Sequence, residues 1–231
     1  ISFDPDYLEG SNTSFDRWNS QQKNEMLAAV NDFYEVSNFH DWFVSTQAEQ
    51  EQAIASFKSV CNLDYTWFDH FFGKNDKASS RIILSFMIGY SNNGISLKRK
   101  DGTVLATPVL GNLSQNNGSV KFNGDMGTII HEFSHPYCNP LIDAHWESIE
   151  NKANEVYNKV SSIMADQAYG NAKIMMYETL VRASTIRYML GNNQDNLVEE
   201  VISYEEYFGF MMVRHLVETL ERREQAASKY A

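Results

Sequence analysis

The sequence predicts an α+β chain, mostly helical, in which a small antiparallel sheet precedes a helix carrying His131-Glu132-Phe133-Ser134-His135 and a helical C-terminal lobe follows it. Three observations carry that prediction. Apolar residues recur at helical spacing in the first third of the chain and again from Ala144 onward. Runs rich in Ile, Leu, Val and Phe, punctuated by Asn-Gly and Asp-Gly, fill the stretch between. Two prolines, Pro136 and Pro140, follow the histidine pair. The chain of 231 residues is read as one domain with three regions: 1–75 helical, 76–140 sheet and motif helix, and 141–231 the helical lobe.

In order, Ile1 to Ser20 is polar with aromatic punctuation, which predicts an irregular arm. Met26, Ala29, Val30, Phe33 and Val36 then recur with helical period, and Trp42, Phe43, Ile54, Phe57, Val60 and Cys61 predict a second helical stretch with a polar middle. The aromatic segment Tyr65 to Phe72, closed by Gly73, has the density of a core, so His70 within it is expected to pack rather than to ligate. Lys74 to Ser80 reads as a polar connector. Arg81 to Tyr90 and Thr103 to Leu110 read as strands, with Asn92-Asn93-Gly94 and Asp101-Gly102 as turns around a strand from Ile95 to Lys98. Asn112 to Gly118 is expected as a loop and Val120 to Phe122 as a short strand leading into the motif helix.

That helix begins after Gly124-Asp125 and has Met126, Ile129, Ile130 and Phe133 on its apolar face. Proline has no amide hydrogen and disfavours helical geometry for the residue before it, so the helix is expected to kink or stop at Pro136. A new amphipathic helix is expected from Ala144, with Trp146, Ile149, Ala153, Val156, Val160 and Ile163 on one stripe and Gly170 at its end. Asn171 to Leu190 is apolar almost all round and predicts a buried helix whose only acidic residue is Glu178. After Gly191-Asn192-Asn193 and an acidic loop, a last helix is expected from Tyr204 towards Lys229.

The chemistry concentrates at His131 to His135. Residues four apart lie one above the other on a helix, so both imidazoles reach one metal ion from the same face, with Glu132 beside it. Two neutral nitrogen ligands suit Zn²⁺, and a neighbouring carboxylate can take a proton from water during metal-assisted hydrolysis. A chain of this composition would contain the pattern by chance roughly one time in a hundred. The apolar face on the same helix argues against such an accident.

A catalytic zinc takes three protein ligands, so one more is required. A metzincin would have Gly at position 138 and His at 141; Cys138 and Leu141 exclude that class. Cys138 is itself a weak candidate, because thiolate ligands come in pairs at short spacing. Asp143, His145, Glu147 and Glu150 follow closely, where acidic residues also serve as ordinary helix-start groups. Glu178 is favoured: a carboxylate on an otherwise apolar helix is costly unless paired or bound to a metal. Arg182, one turn on, could satisfy it without zinc, or could orient it as a ligand. His145 is the alternative.

With a His, His and downstream Glu set, the chain resembles the gluzincin branch of the zincin metallopeptidases. More narrowly, HEFSHPYCNP from His131 to Pro140, YETLVRAS around Glu178 and EEYFGFMMV around Tyr207 resemble a family of exported bacterial proteins known only as a domain of unknown function. The proline after His135 and the long insertion before Glu178 depart from well-studied gluzincins. The resemblance implies a zincin-like fold of two lobes with a cleft between them, a peptide or protein substrate, and a sheet edge near Ile95 to Lys98 that takes an extended peptide as an added strand. It also implies a donor to the oxyanion of the tetrahedral intermediate, for which Tyr204, Tyr207 and His215 are available and Tyr207 is favoured. Zinc-dependent peptide hydrolysis with Glu132 as general base is therefore expected. The alternative is a zincin-fold binding or scaffold module without turnover.

Composition narrows the rest. A formal charge of −11 argues against nucleic acid, whose binding is driven by Lys and Arg neutralising phosphate. Lys98-Arg99-Lys100 beside Asp101-Gly102 reads as a solvated turn, and no apolar run approaches the ~18 residues of a membrane span. A start at Ile1, with the resemblance, leads to the expectation of an exported protein whose signal has been trimmed: periplasmic, surface-anchored or secreted. Cys61 and Cys138 could form one disulfide or remain buried thiols.

Overall fold

The computed structural model describes residues 19–73, 78–192 and 197–228. The expected N-terminal arm up to residue 18, most of the connector before the sheet, residues 193–196 at the start of the acidic loop and the last residues of the chain lie outside them. The chain is α+β and mostly helical. It divides into two compact units, the described parts of Ile1–Asn62 with Asn75–Ile129, and of Leu63–Lys74 with Ile130–Ala231. No helix among the described residues is long and apolar enough to cross a membrane.

The first unit opens with α1 (Ser20–Val36), where Asn19 and Gln22 form a reciprocal capping box. The stretch expected as one helix with a polar middle is two, α2 (Phe39–Ser45) and α3 (Gln47–Val60), parted at Thr46, whose hydroxyl donates to the carbonyl of Phe43. A side chain that serves the backbone locally competes with helix continuation. On α3, Ala53 and Phe57 are buried.

The sheet is mixed rather than antiparallel. Its centre is β4 (Val104–Leu110), paired antiparallel with β3 (Asn92–Lys98) on one edge and parallel with β1 (Ala78–Ser80) and β2 (Ile83–Leu84) on the other. Residue composition reports strand propensity and not pairing direction, and only Ile83 and Leu84 of the run from Arg81 to Tyr90 pair. Asn92-Asn93-Gly94 is strand, not turn: Gly94 lies opposite Pro108, which has no N–H to give the ladder. The Asp101-Gly102 turn joins β3 to β4 as expected. The expected loop from Asn112 to Gly118 contains β5 (Leu113–Asn116), which forms a hairpin with β6 (Ser119–Phe122). Its turn residues Asn117 and Gly118 both take positive φ, 49° and 78°, as a tight two-residue hairpin requires. Along β6, the N–H groups of Val120 and Phe122 donate to Gln52 and Ser56 of α3. Phe57, Leu110, Phe122 and Ile129 form the core, with Phe57 and Phe122 edge to face.

The second unit contains α4 (Tyr65–Phe72), α5 (Met126–Asp166) after its opening turn, α6 (Ala172–Gly191), α7 (Val198–Tyr207) and α8 (Val213–Ser228). On α4, Phe68 is fully buried and packs edge-on against Phe133 at 4.9 Å. His70, expected to pack, is exposed; Phe68 and Phe71 point inward instead.

The motif helix does not stop at its prolines: α5 runs unbroken for 41 residues through Pro136 and Pro140 into the expected second helix. An interior proline costs about 3 kcal/mol. Burying a side chain such as Ile130, Phe133 or Ile142 stabilises by ~1.5–3 kcal/mol, so a few such positions offset the pair. The helix ends at Asp166, where Ala168 takes φ 66° and the N–H of Tyr169 reaches back to the carbonyl of Met164.

Asn171 caps α6 by accepting from the N–H of Ile174. As expected, α6 is buried along its length, with Met175, Val181, Ala183 and Ile186 almost inaccessible. The expected acidic loop is helical from Val198, and the helix expected from Tyr204 is split between α7 and α8 at Gly209, whose φ of 94° suits glycine alone. Phe210, Val213 and Val217 beyond the break join Met164, Met176 and Ile186 in the core.

Candidate metal centre

All the residues that meet at the centre come from α5, α6, α7 and the turn before α6. Asp125 caps the start of α5 by accepting from the N–H of Thr128 at 2.8 Å. One and a half turns on, His131 and His135 stand on one face with ring centroids 5.0 Å apart. Glu178 meets them from α6. Its Oε2 is 3.4 Å from Nε2 of His131 and its Oε1 is 3.6 Å from Nε2 of His135. Glu132 lies alongside, Oε2 being 3.9 Å from the same His135 nitrogen.

These separations are long for hydrogen bonds, which favour 2.7–3.2 Å. They fit ligands sharing a small ion, since tetrahedral bonds of about 2.0–2.1 Å put neighbouring donor atoms roughly 3.3 Å apart. Among the described residues, His131, His135 and Glu178 form the group of His, Cys, Asp or Glu whose ligand atoms all lie within 4.8 Å of one another, and they could hold a metal ion.

Electrostatics leave His135 and Glu178 in ligand form at neutral pH. Burial pushes the His135 imidazole down to about 4, against the Glu178 carboxylate, which raises it. Burial would raise Glu178, but the neighbouring His131 and His135 imidazoles and the guanidinium of Arg182 outweigh it and hold the carboxyl at about 2. Nδ1 of His135 faces Oδ1 of Asn139 at 3.3 Å, a contact that fixes the ring and leaves Nε2 for an ion.

Arg182 ties the centre together. Its Nη1–H donates to Glu178 Oε2 at 2.6 Å, its Nε–H to Glu205 Oε2 on α7 at 2.8 Å, and its Nη2–H to the hydroxyl of Tyr169 at 3.4 Å. The guanidinium stacks over Phe210, 4.1 Å from the ring centroid. Tyr169 is protonated at neutral pH: burial raises its phenol, and the charge of Glu178 adds to this.

The other candidates are elsewhere. His145 is exposed, ten residues and so about 15 Å along α5 from His135. Glu147 and Glu150 are exposed, and Asp143 is taken by Tyr177 and Lys173. The Cys138 thiol is buried against Ser184 and pushed up to about 12, so it stays protonated; neither cysteine forms a disulfide. His215 and Tyr204 are exposed; Tyr207 is 78% exposed at the end of α7, with its ring against Phe208.

Sequence reasoning brought His131, Glu132, His135, Glu178 and Arg182 to one place and missed Asn139, Tyr169 and Glu205. Asn139 carried a signal, being one turn beyond His135. Tyr169 and Glu205 carried none, since only the packing of the α5–α6 turn and of α7 brings them to Arg182.

The donor set fits a divalent cation. The carboxylates of Glu132, Glu178 and Glu205 against the one guanidinium of Arg182 give three formal negative charges less one positive, leaving two for a cation to neutralise.

Among curated proteins and among solved structures, none matches the chain. The profile of the family described as Domain of unknown function (DUF4932) matches residues 13–231, and the chain belongs to that family.

Proposed function

We propose that the protein is a zinc-dependent peptidase of gluzincin type, in which His131, His135 and Glu178 hold the metal. The carrying observation is two imidazoles and a carboxylate only 12% exposed at the spacing of ligands to one ion, with a second carboxylate, Glu132, 3.9 Å from one of the imidazoles. Zinc bound there supplies Lewis acidity and lowers the pKa of water at the site to about 7.

The chain's residues do the rest. Glu132 accepts the proton of the attacking water and returns it to the leaving amine. His135 is kept neutral by its burial, and Glu178 is kept ionised by Arg182 and the imidazoles. A tyrosine donates to the oxyanion of the tetrahedral intermediate. Tyr207 is the residue indicated by the family resemblance; Tyr169 is indicated by its position on Arg182, which donates to its oxygen and leaves the phenolic proton for substrate. The resemblance adds an extended polypeptide substrate, and location outside the cytoplasm, to the proposal.

The test is incubation of the zinc-loaded protein with a diverse peptide library at neutral pH, with and without chelator. Cleavage that the chelator abolishes supports the peptidase. Peptides bound but never cleaved would replace it with a binding module that keeps the fold and the metal.

A further inference from the structure

Glu205 differs in kind from its neighbours on α7. The helix carries Glu199, Glu200, Glu205 and Glu206, and an acidic helix face is ordinarily a solvated one. Glu199 and Glu206 lie nearer that pattern: both pair with Arg214, which is 36% exposed, and they are themselves 73% and 29% exposed. Glu205 turns inward to Nε of Arg182, and the pair is 15% and 17% exposed. A carboxylate withdrawn from water is costly. Its effect is on what Arg182 can do.

A guanidinium is a rigid fork that takes both oxygens of a carboxylate when it can. Here its edges are allotted: Nε to Glu205, Nη1 to Glu178 Oε2 and Nη2 to Tyr169. The ring of Phe210 lies under its plane. Glu178 is therefore held by one bond through Oε2, and Oε1 stays turned to His135. Without Glu205 the Nε edge is released. Arg182 can then rotate and close on both oxygens of Glu178, drawing the carboxylate away from a cation and cancelling its charge.

We propose that Glu205 is a positioning residue of the metal centre: by holding the Nε edge of Arg182 it limits that arginine to one oxygen of Glu178 and leaves the other for the ion. The inference rests on the proposed metal site. It adds a requirement for α7, an element that contributes no ligand.

The experiment measures zinc affinity by competition with a chelating dye in wild type, Glu205→Gln, Glu206→Gln, Arg182→Gln and the double variant Arg182→Gln/Glu205→Gln. The visible spectrum of the cobalt(II)-loaded proteins and thermal unfolding of the metal-free ones are recorded alongside. Glu205→Gln is expected to weaken zinc binding about 10- to 100-fold and to change the cobalt spectrum. Glu206→Gln, one residue away with the same loss of charge, is expected to do neither. In the Arg182→Gln background, Glu205→Gln is expected to add nothing, because its effect passes through Arg182. Should Glu205→Gln fail to fold, Glu205→Asp takes its place in the same cycle, keeping the charge and withdrawing the carboxylate by one methylene. Wild-type affinity and spectrum in the Glu205 variant, or an equal loss with and without Arg182, would overturn the inference while leaving the metal site standing. A wild-type protein that takes up neither zinc nor cobalt would overturn the site itself.

Discussion

Acidifying the metal-free protein is expected to destabilise the second unit in a window set by one histidine. Burial lowers His135 from the ordinary 6.5 to about 4. As pH falls past 6.5 the unfolded chain binds a proton at this position and the folded chain does not, until about 4. The unfolded state therefore holds more protons throughout the window, and stability rises with pH across it and is lost on acidification. At pH 5 the difference has accumulated to about 1.5 pK units, or roughly 2 kcal/mol. With a urea dependence of ~2 kcal/mol per molar, the midpoint falls by about 1 M between pH 7.5 and pH 5. Glu178, held at about 2 against an ordinary 4.5, adds a second loss of the same sign only between those two values. The assay is urea unfolding followed by tryptophan fluorescence, in chelator, in a Trp18→Phe/Trp42→Phe background. The remaining indoles, Trp67 and Trp146, both belong to the second unit. His135→Gln is expected to remove the difference between the two pH values. An unchanged midpoint in the parent, or the same drop in His135→Gln, would rule out His135 as the source of the acid loss.

Three further outcomes are expected. Elemental analysis of native protein dialysed against a weak chelator should find about one zinc per chain, and His131→Ala or His135→Ala should abolish it; a native protein that neither contains nor takes up zinc would rule out the metal site. Glu178→Gln should weaken metal binding strongly and Arg182→Ala by about 10- to 100-fold, whereas His145→Ala should leave it unchanged; normal binding in Glu178→Gln with loss in His145→Ala would reverse the ligand assignment. Of the two tyrosines, Tyr169→Phe should lower kcat by about 10²-fold or more with zinc content intact, and Tyr207→Phe much less; the opposite order would return the donor role to Tyr207.

What the sequence made legible follows from how directly spacing becomes geometry. His131 and His135 needed only the helical period, and Glu178 stood out as the single acid on an apolar helix. Asp125 announced the start of α5 in the same local way. The misses were tertiary. Pro136 and Pro140 predict a helix end by local chemistry, and the burial of Ile130, Phe133 and Ile142 overrides it. The parallel pairing of β1 and β2 with β4 leaves no trace in their residues, because alternation and propensity are blind to direction. Asn92-Asn93-Gly94 has the composition of a turn yet lies flat against Pro108, Val109 and Leu110. Glu205 and Glu206 are adjacent and identical in type; only the fold tells the one that meets Arg182 from the one that meets Arg214.

In the proposed reaction Glu132 moves the proton for a hydrolysis supported by the metal at His131, His135 and Glu178. The most direct test of that role is the rate at which zinc-loaded Glu132→Gln cleaves a peptide that the zinc-loaded wild type cleaves at neutral pH, with zinc content measured on the same samples. The substitution keeps the side chain's shape and leaves His131, His135 and Glu178, the three proposed ligands, unaltered. Zinc occupancy should be full in Glu132→Gln and turnover lowered by about 10²- to 10⁴-fold. Zinc retained and turnover unchanged in Glu132→Gln would contradict that role.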